Sequence, residues 1–117
     1  SIKARIRSVQ RELARRRMME AVPEATVVIT NPTHLAIALK YEEGMHAPTV
    51  VAKGAGFLAQ KIKSIAAENN IPLVENKPLA RTIFKSTEIG DFIPAELYRA
   101  IAEILAYVFR LKGLVSP

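Results

Sequence analysis

Residues 27–39 read VVITNPTHLAIAL, and this stretch constrains the fold more than any other in the chain. The runs "ATVVIT" (25–30) and "LAIALKY" (35–41) are short and mostly apolar, the first of them β-branched, as buried strands are. Only Asn31, Pro32, Thr33 and His34 separate them. An Asn-Pro step favours a turn, because proline fixes φ and asparagine bonds readily to nearby backbone. The chain must therefore hold two strands around a tight connection.

The remaining periodicities build an α/β domain on that pair. "TVVAKG" (49–54) reads as a third strand after the loop "EEGMHAP", and "IPLVE" (71–75) as a fourth. Between them Phe57, Leu58, Ile62, Ile65 and Ala66 recur at helical spacing to about Glu68, with Asn69-Asn70 as the stop. Pro78 suits the first turn of a short helix reaching Phe84 or Lys85. Pro94 opens a last helix, with Glu96 near its positive end, running to about Lys112 and stopped by Gly113. Ile2, Ile6, Val9 and Leu13 give residues 2–19 a narrow apolar stripe on a further helix. The expected fold is α/β: a small mixed four-stranded sheet flanked by about four helices, with an extended basic N-terminal helix.

Charge divides the chain in two. Residues 1–20 hold seven Lys/Arg against two Glu, and the rest holds ten against nine Asp/Glu, so +5 of the net +6 sits on the leading arm. Pro23 ends that arm, giving an expected basic linker helix over 1–22 and a nearly neutral domain over 23–117. The chain has 117 residues, half of them hydrophobic, enough for one core without a metal or staple. The absence of cysteine excludes disulfides and thiolate metal sites. No run approaches the roughly 20 apolar residues of a membrane helix. "IAEILAYVFRL" is too short and carries Glu103 and Arg110, and "SIKARIRSVQ" has no apolar signal core. A soluble chain is expected, which can be a piece of a longer one.

The Asn-Pro bond also carries chemistry. Pro32 has no N–H, which closes the usual backbone attack on the Asn31 carboxamide. The reverse route stays open: the Asn31 carboxamide nitrogen attacks its own backbone carbonyl, forms a succinimide and expels Pro32 as a new amino terminus. A fold speeds this by holding nitrogen against carbonyl, aiming donors at the oxyanion and protonating the departing proline nitrogen. His34 is the histidine within reach for the proton, and Thr33 can orient the turn. Scission within an hour needs a barrier of roughly 22 kcal/mol. Losing one donor worth about 3 kcal/mol stretches that hour to about a week. On spacing alone the simpler reading is favoured: an inert Asn-Pro turn between two strands, with His34 a satisfied, partly buried residue.

The quoted segments, in combination, carry a resemblance. NPTH preceded by "VVIT" and followed by "VVAKGAG", "AAENNIP", "PLAR" and the pattern IP-ELY-A-AE-LA resembles the FlhB/YscU family of type III secretion, over essentially the whole chain. The leading "IKARIRSVQRELARRRMMEAVPEATVVI" is similar to the flagellar branch. The resemblance implies a membrane domain preceding this one, a basic linker, and a domain on the cytoplasmic face of the bacterial inner membrane. It implies self-cleavage between Asn31 and Pro32, with Thr33 and His34 completing the motif, and fragments that stay together. It further implies control of an export switch from rod and hook proteins to filament proteins, with export apparatus components, substrates or chaperones as partners. Such scission is a single turnover rather than turnover catalysis, and it needs no cofactor or metal.

Other features have simpler readings. The arginine-rich arm suits a linker attracted to anionic lipid better than RNA, because no aromatic residue stands there to stack on bases. A basic α/β nucleic-acid-binding module with an uncleaved Asn-Pro turn is the rival. "KGAGF" (53–57) lacks the spacing of a phosphate loop and reads as a turn. His46 lies in a loop without a set of ligands and is expected to face solvent. The last helix has two apolar stripes: Leu97, Ile101, Ile104 and Val108, and beside them Tyr98, Ala102, Leu105 and Phe109. Either both are buried, or Ala102 and Leu105 join Ala47 and Pro48 in an exposed patch for export substrates. Full burial of Ala102 and Leu105 would remove the second possibility.

Overall fold

In the computed structural model, which describes residues 1–113, the Asn-Pro connection closes an antiparallel hairpin. β1 (Val27–Asn31) and β2 (Leu35–Lys40) pair with Asn31 opposite Leu35 and Val27 opposite Leu39, leaving Pro32, Thr33 and His34 as the loop. β3 (Thr49–Ala55) adds antiparallel to β2, and β4 (Leu73–Glu75) adds parallel to the free side of β1. The order β3-β2-β1-β4 makes a mixed four-stranded sheet with the hairpin at its centre.

Both faces of that sheet are covered, which explains why its central strands are apolar at nearly every position rather than at alternate ones. Val27, Ile29, Ile37, Leu39 and Val50 face α3 (Lys77–Ser86) and α4 (Tyr98–Leu111), meeting Leu79, Ala80, Ile83, Ile101, Leu105 and Val108. On the other face Val28, Ala36, Ala38 and Ala52 meet Ala59, Ile62 and Ala66 of α2 (Phe57–Glu68). Small side chains on this second face let α2 lie close. At Gly54 a Cβ would stand 2.7 Å from the Leu58 Cβ, so no larger residue fits without a shift.

The leading helix, α1 (Ile2–Ala21), has 20 residues and projects: the molecule measures 58 × 30 × 28 Å. Its stripe is not a core face, since Ile2 is 80% and Leu13 46% exposed. Met18 is its one buried residue, and a single 3₁₀ turn, Val22–Glu24, then anchors it through fully buried Val22. Pro23 sits within that turn, where its missing N–H costs nothing.

Some boundaries differ from the sequence reading, each for a local reason. β1 begins at Val27 rather than residue 25, and β2 ends at Lys40 rather than 41. The Thr26 hydroxyl takes over there, accepting from the Tyr41 N–H at 2.9 Å and donating to the Tyr41 carbonyl at 3.1 Å. β4 starts at Leu73 because Ile71 is used to end α2. Asn70 is left-handed (φ +57°), its N–H donates to the Ala67 carbonyl, and the Ile71 N–H donates to that of Ala66 at 2.9 Å. That double bond is a Schellman ending with buried Ile71 as its apolar contact. Asn76 caps α3, accepting from the Leu79 N–H at 3.1 Å, with Pro78 in the first turn as expected and the helix running on to Ser86. Pro94 opens a 3₁₀ turn, Ala95–Leu97, before α4 proper.

The far end of α3 is held by a charge. Half-buried Lys53 of β3 donates to the Phe84 carbonyl at 2.9 Å and the Thr87 carbonyl at 2.6 Å, with its ammonium 4.7 Å from the Phe84 ring centre. A cation there complements the negative helix end.

Candidate functional site

The turn is anchored from several directions. The His34 N–H donates to the Asn31 carbonyl oxygen at 2.8 Å, closing a four-residue turn with Pro32 at its second position. The neighbouring carbonyls are engaged as well. Thr30 accepts from the Asn76 N–H at 2.9 Å, His34 from the Gly56 N–H at 3.0 Å, and Pro32 from the Lys63 ammonium at 2.6 Å. Strands β1 and β2 thus fix the two ends of the turn, while the starts of α2 and α3 and a side chain of α2 fix its oxygens. The left-handed Gly56 (φ +57°) that lets β3 pass into α2 also presents one of those N–H groups.

Asn31 and Pro32 are half-buried; Thr33 and His34 are exposed. The Asn31–Pro32 peptide is trans. The carbonyl at this bond carries a backbone N–H on its oxygen, where charge would develop if the carbon were attacked. Sequence reasoning assigned His34 through its ring. The contact the structure supplies comes from the His34 backbone, and its ring makes no hydrogen bond among the described residues. Lys63 was missed altogether. It is one of many basic residues and lies 31 positions from Pro32, so only the packing of α2 on the sheet brings it near.

A second feature lies at the other end of β2. Tyr41, His46, Ala47, Pro48, Tyr98, Ala102, Leu105, Ala106 and Phe109 line an apolar groove of about 410 Å³. All four residues nominated from the sequence are therefore in one place. Ala102 is exposed, but Ala47 and Leu105 are only 2% and 6% exposed, so Ala102 and Leu105 are not both buried and yet the four do not form a patch exposed throughout. The two stripes of α4 divide differently from the sequence reading: Leu105 joins Ile101 and Val108 in the core, while Tyr98 and Ala102 stay outside. His46 is exposed, its ring centre 5.3 Å from that of Phe92. Lys40, opposite Thr49, marks the groove end of β2, and Leu35, opposite Ala55, the turn end. Turn and groove are separated by about 17 Å of strand.

Among the described residues no group of three His, Asp or Glu side chains is placed to hold a metal ion. Among them, too, no helix is long and apolar enough to cross a membrane.

Comparison with known proteins agrees with the fold. The flagellar biosynthetic protein FlhB of Escherichia coli K12 is 55% identical over 112 residues, 95% of this chain and 29% of that protein. FlhB of Bacillus subtilis 168 is 55% identical over 115 residues, 97% of this chain and 32% of its own length. The chain therefore spans about a third of the curated relatives it matches. A crystal structure of the cytoplasmic domain of FlhB from Shewanella putrefaciens superposes with a TM-score of 0.79 at 42% identity, covering 88% of this chain and 85% of that one. The model describing the FlhB, HrpN, YscU and SpaS family matches residues 1–108, from the basic helix through the turn to α4. With the family model spanning nearly its whole length, this chain belongs to the FlhB, HrpN, YscU and SpaS family.

Proposed function

We propose that this chain is the cytoplasmic part of a flagellar type III export protein that severs itself once, at Asn31–Pro32. The observation that carries the proposal is the hydrogen bond from the His34 N–H to the Asn31 carbonyl at 2.8 Å, in a turn whose next residue lacks an N–H. The Asn31 carboxamide nitrogen attacks the Asn31 carbonyl carbon, and charge gathers on the oxygen facing the His34 N–H. The bond to Pro32 breaks as the carboxamide nitrogen gives up a proton and the proline nitrogen takes one. Asn31 is left as a succinimide, which water opens to a carboxylate. The His34 imidazole serves as proton carrier and Thr33 shapes the turn. No cofactor takes part, and the reaction does not turn over.

Scission would not part the molecule. β1 lies between β2 and β4, and Val27, Val28 and Ile29 are fully buried. Each offers roughly 1.5–3 kcal/mol of burial. The cut frees Pro32–His34, and that local change permits the export machinery to pass from rod and hook proteins to filament proteins. Residues 1–22 lead from a membrane domain at the inner membrane, and 23–117 form the self-cleaving domain on its cytoplasmic face. The apolar groove, at Ala47, Pro48, Ala102 and Leu105, receives export substrates or their chaperones.

Mass spectrometry of the purified chain tests the central step. Fragments 1–31 and 32–117 are expected from the parent, eluting together in gel filtration, and an intact chain from Asn31→Ala. A parent chain still whole after days at neutral pH overturns the proposal and leaves the basic nucleic-acid-binding module as the rival.

A further inference from the structure

We infer that Lys63 is a positioning residue for this scission and the group that drives the turn away afterwards, an inference resting on the reading that Asn31–Pro32 is cut. Among the described residues Lys63 is the one side chain that hydrogen-bonds to the turn, its ammonium 2.6 Å from the Pro32 carbonyl. It is half-buried, and no described carboxylate lies within 4.0 Å of its nitrogen. Its charge is thus directed at the residue that must depart. α2, which carries it, is fixed to the sheet by Ala59, Ile62 and Ala66, so the grip is rigid. Gly56, just ahead of the same helix, holds the His34 carbonyl. One helix therefore holds both sides of the loop while the Asn31 carbonyl stays on its donor.

Scission changes the charges around that ammonium. Pro32 becomes a secondary amine, protonated at neutral pH, on the very residue Lys63 holds. Opening of the succinimide puts a carboxylate on Asn31, one residue back. Lys63 then faces a like charge on the departing side and an opposite charge on the β1 side. The same contact that steadies the turn before the cut repels Pro32 after it, and pairs with the new end of β1. The device sorts the two new termini without any rearrangement of α2.

Scission rates, started by dilution from denaturant and read by mass spectrometry, test this in Lys63→Met, Lys63→Arg and Lys61→Met. Lys63→Met is expected to cut about 5–50-fold more slowly, a charge-assisted bond discounted for partial exposure. Lys63→Arg is expected to recover the parent rate to within about threefold, and exposed Lys61→Met to leave it unchanged. Amide exchange supplies the second readout. In an uncut Asn31→Ala background, Lys63→Met lowers protection of the His34 N–H; on cutting, the parent loses that protection more completely than Lys63→Met does. A Lys63→Met chain with the parent rate and the parent protection overturns the inference while the scission reading stands. If the parent never cuts, that reading fails by itself, and unchanged His34 protection in the uncut pair refutes the clamp separately.

Discussion

Replacing the Thr33–His34 amide by an ester removes one donor from the turn and leaves every side chain in place. That donor is the N–H at 2.8 Å from the Asn31 oxygen, and the bond exists before any reaction begins. Only its strengthening in the transition state accelerates scission. A hydrogen bond to a neutral carbonyl contributes about 1 kcal/mol net, and one to an ionised oxygen roughly 1.5–3 kcal/mol. The difference, about 0.5–2 kcal/mol, corresponds to a rate lower by about 2–30-fold. A semisynthetic chain carrying the ester, diluted from denaturant alongside the all-amide chain, gives the comparison through the appearance of fragments 1–31 and 32–117. His34→Ala, which keeps the N–H and removes the ring, separates the backbone contribution from the imidazole. An ester chain cutting within about twofold of the parent would refute oxyanion stabilisation by this N–H. A loss beyond about a thousandfold would refute it too, showing that the bond holds the turn together rather than easing the reaction.

The remaining predictions concern packing and the leaving group. Lys53→Met, in the uncut Asn31→Ala background, strips two charged hydrogen bonds and a ring contact from the end of α3. After allowing for lysine's ordering cost, a loss of about 1–3 kcal/mol is expected in urea unfolding; a change below about 0.5 kcal/mol would show the contacts to be idle. Gly54→Ala brings a methyl to 2.7 Å of the Leu58 Cβ and should destabilise by about 1–3 kcal/mol in the same assay. Pro32→Ala restores a backbone N–H, so slower scission with some deamidation at Asn31 is expected by peptide mapping; rapid clean cleavage would contradict the role given to proline.

Much of the fold was legible because its strands are buried on both faces. Val27–Ile29 and Ala36–Leu39 announce themselves by unbroken apolarity, and Asn69-Asn70 mark the end of α2 by their tolerance of left-handed backbone. What stayed hidden depends on long-range packing. Nothing local distinguishes Ile71, spent on a helix cap, from the strand residues that follow it. On α1 a narrow apolar stripe ringed by arginines suits an extended arm, and the helix does project with that stripe largely bare. The candidate site was legible as a motif, NPTH, but the donors around it were not. The His34 N–H and the Gly56 N–H carry no sequence signature, and Lys63 reaches the turn only through the docking of α2.

The central place of β1 has a mechanical consequence. α1 leads through a single turn into β1, so tension on the projecting arm enters the sheet at β1 and is borne by the ladders to β2 and β4 together. In an unbroken chain that load continues through the turn into covalent backbone; in a severed one it stops at Asn31. The joint then fails at a force-dependent rate set by its unfolding barrier, making a bolt into a latch.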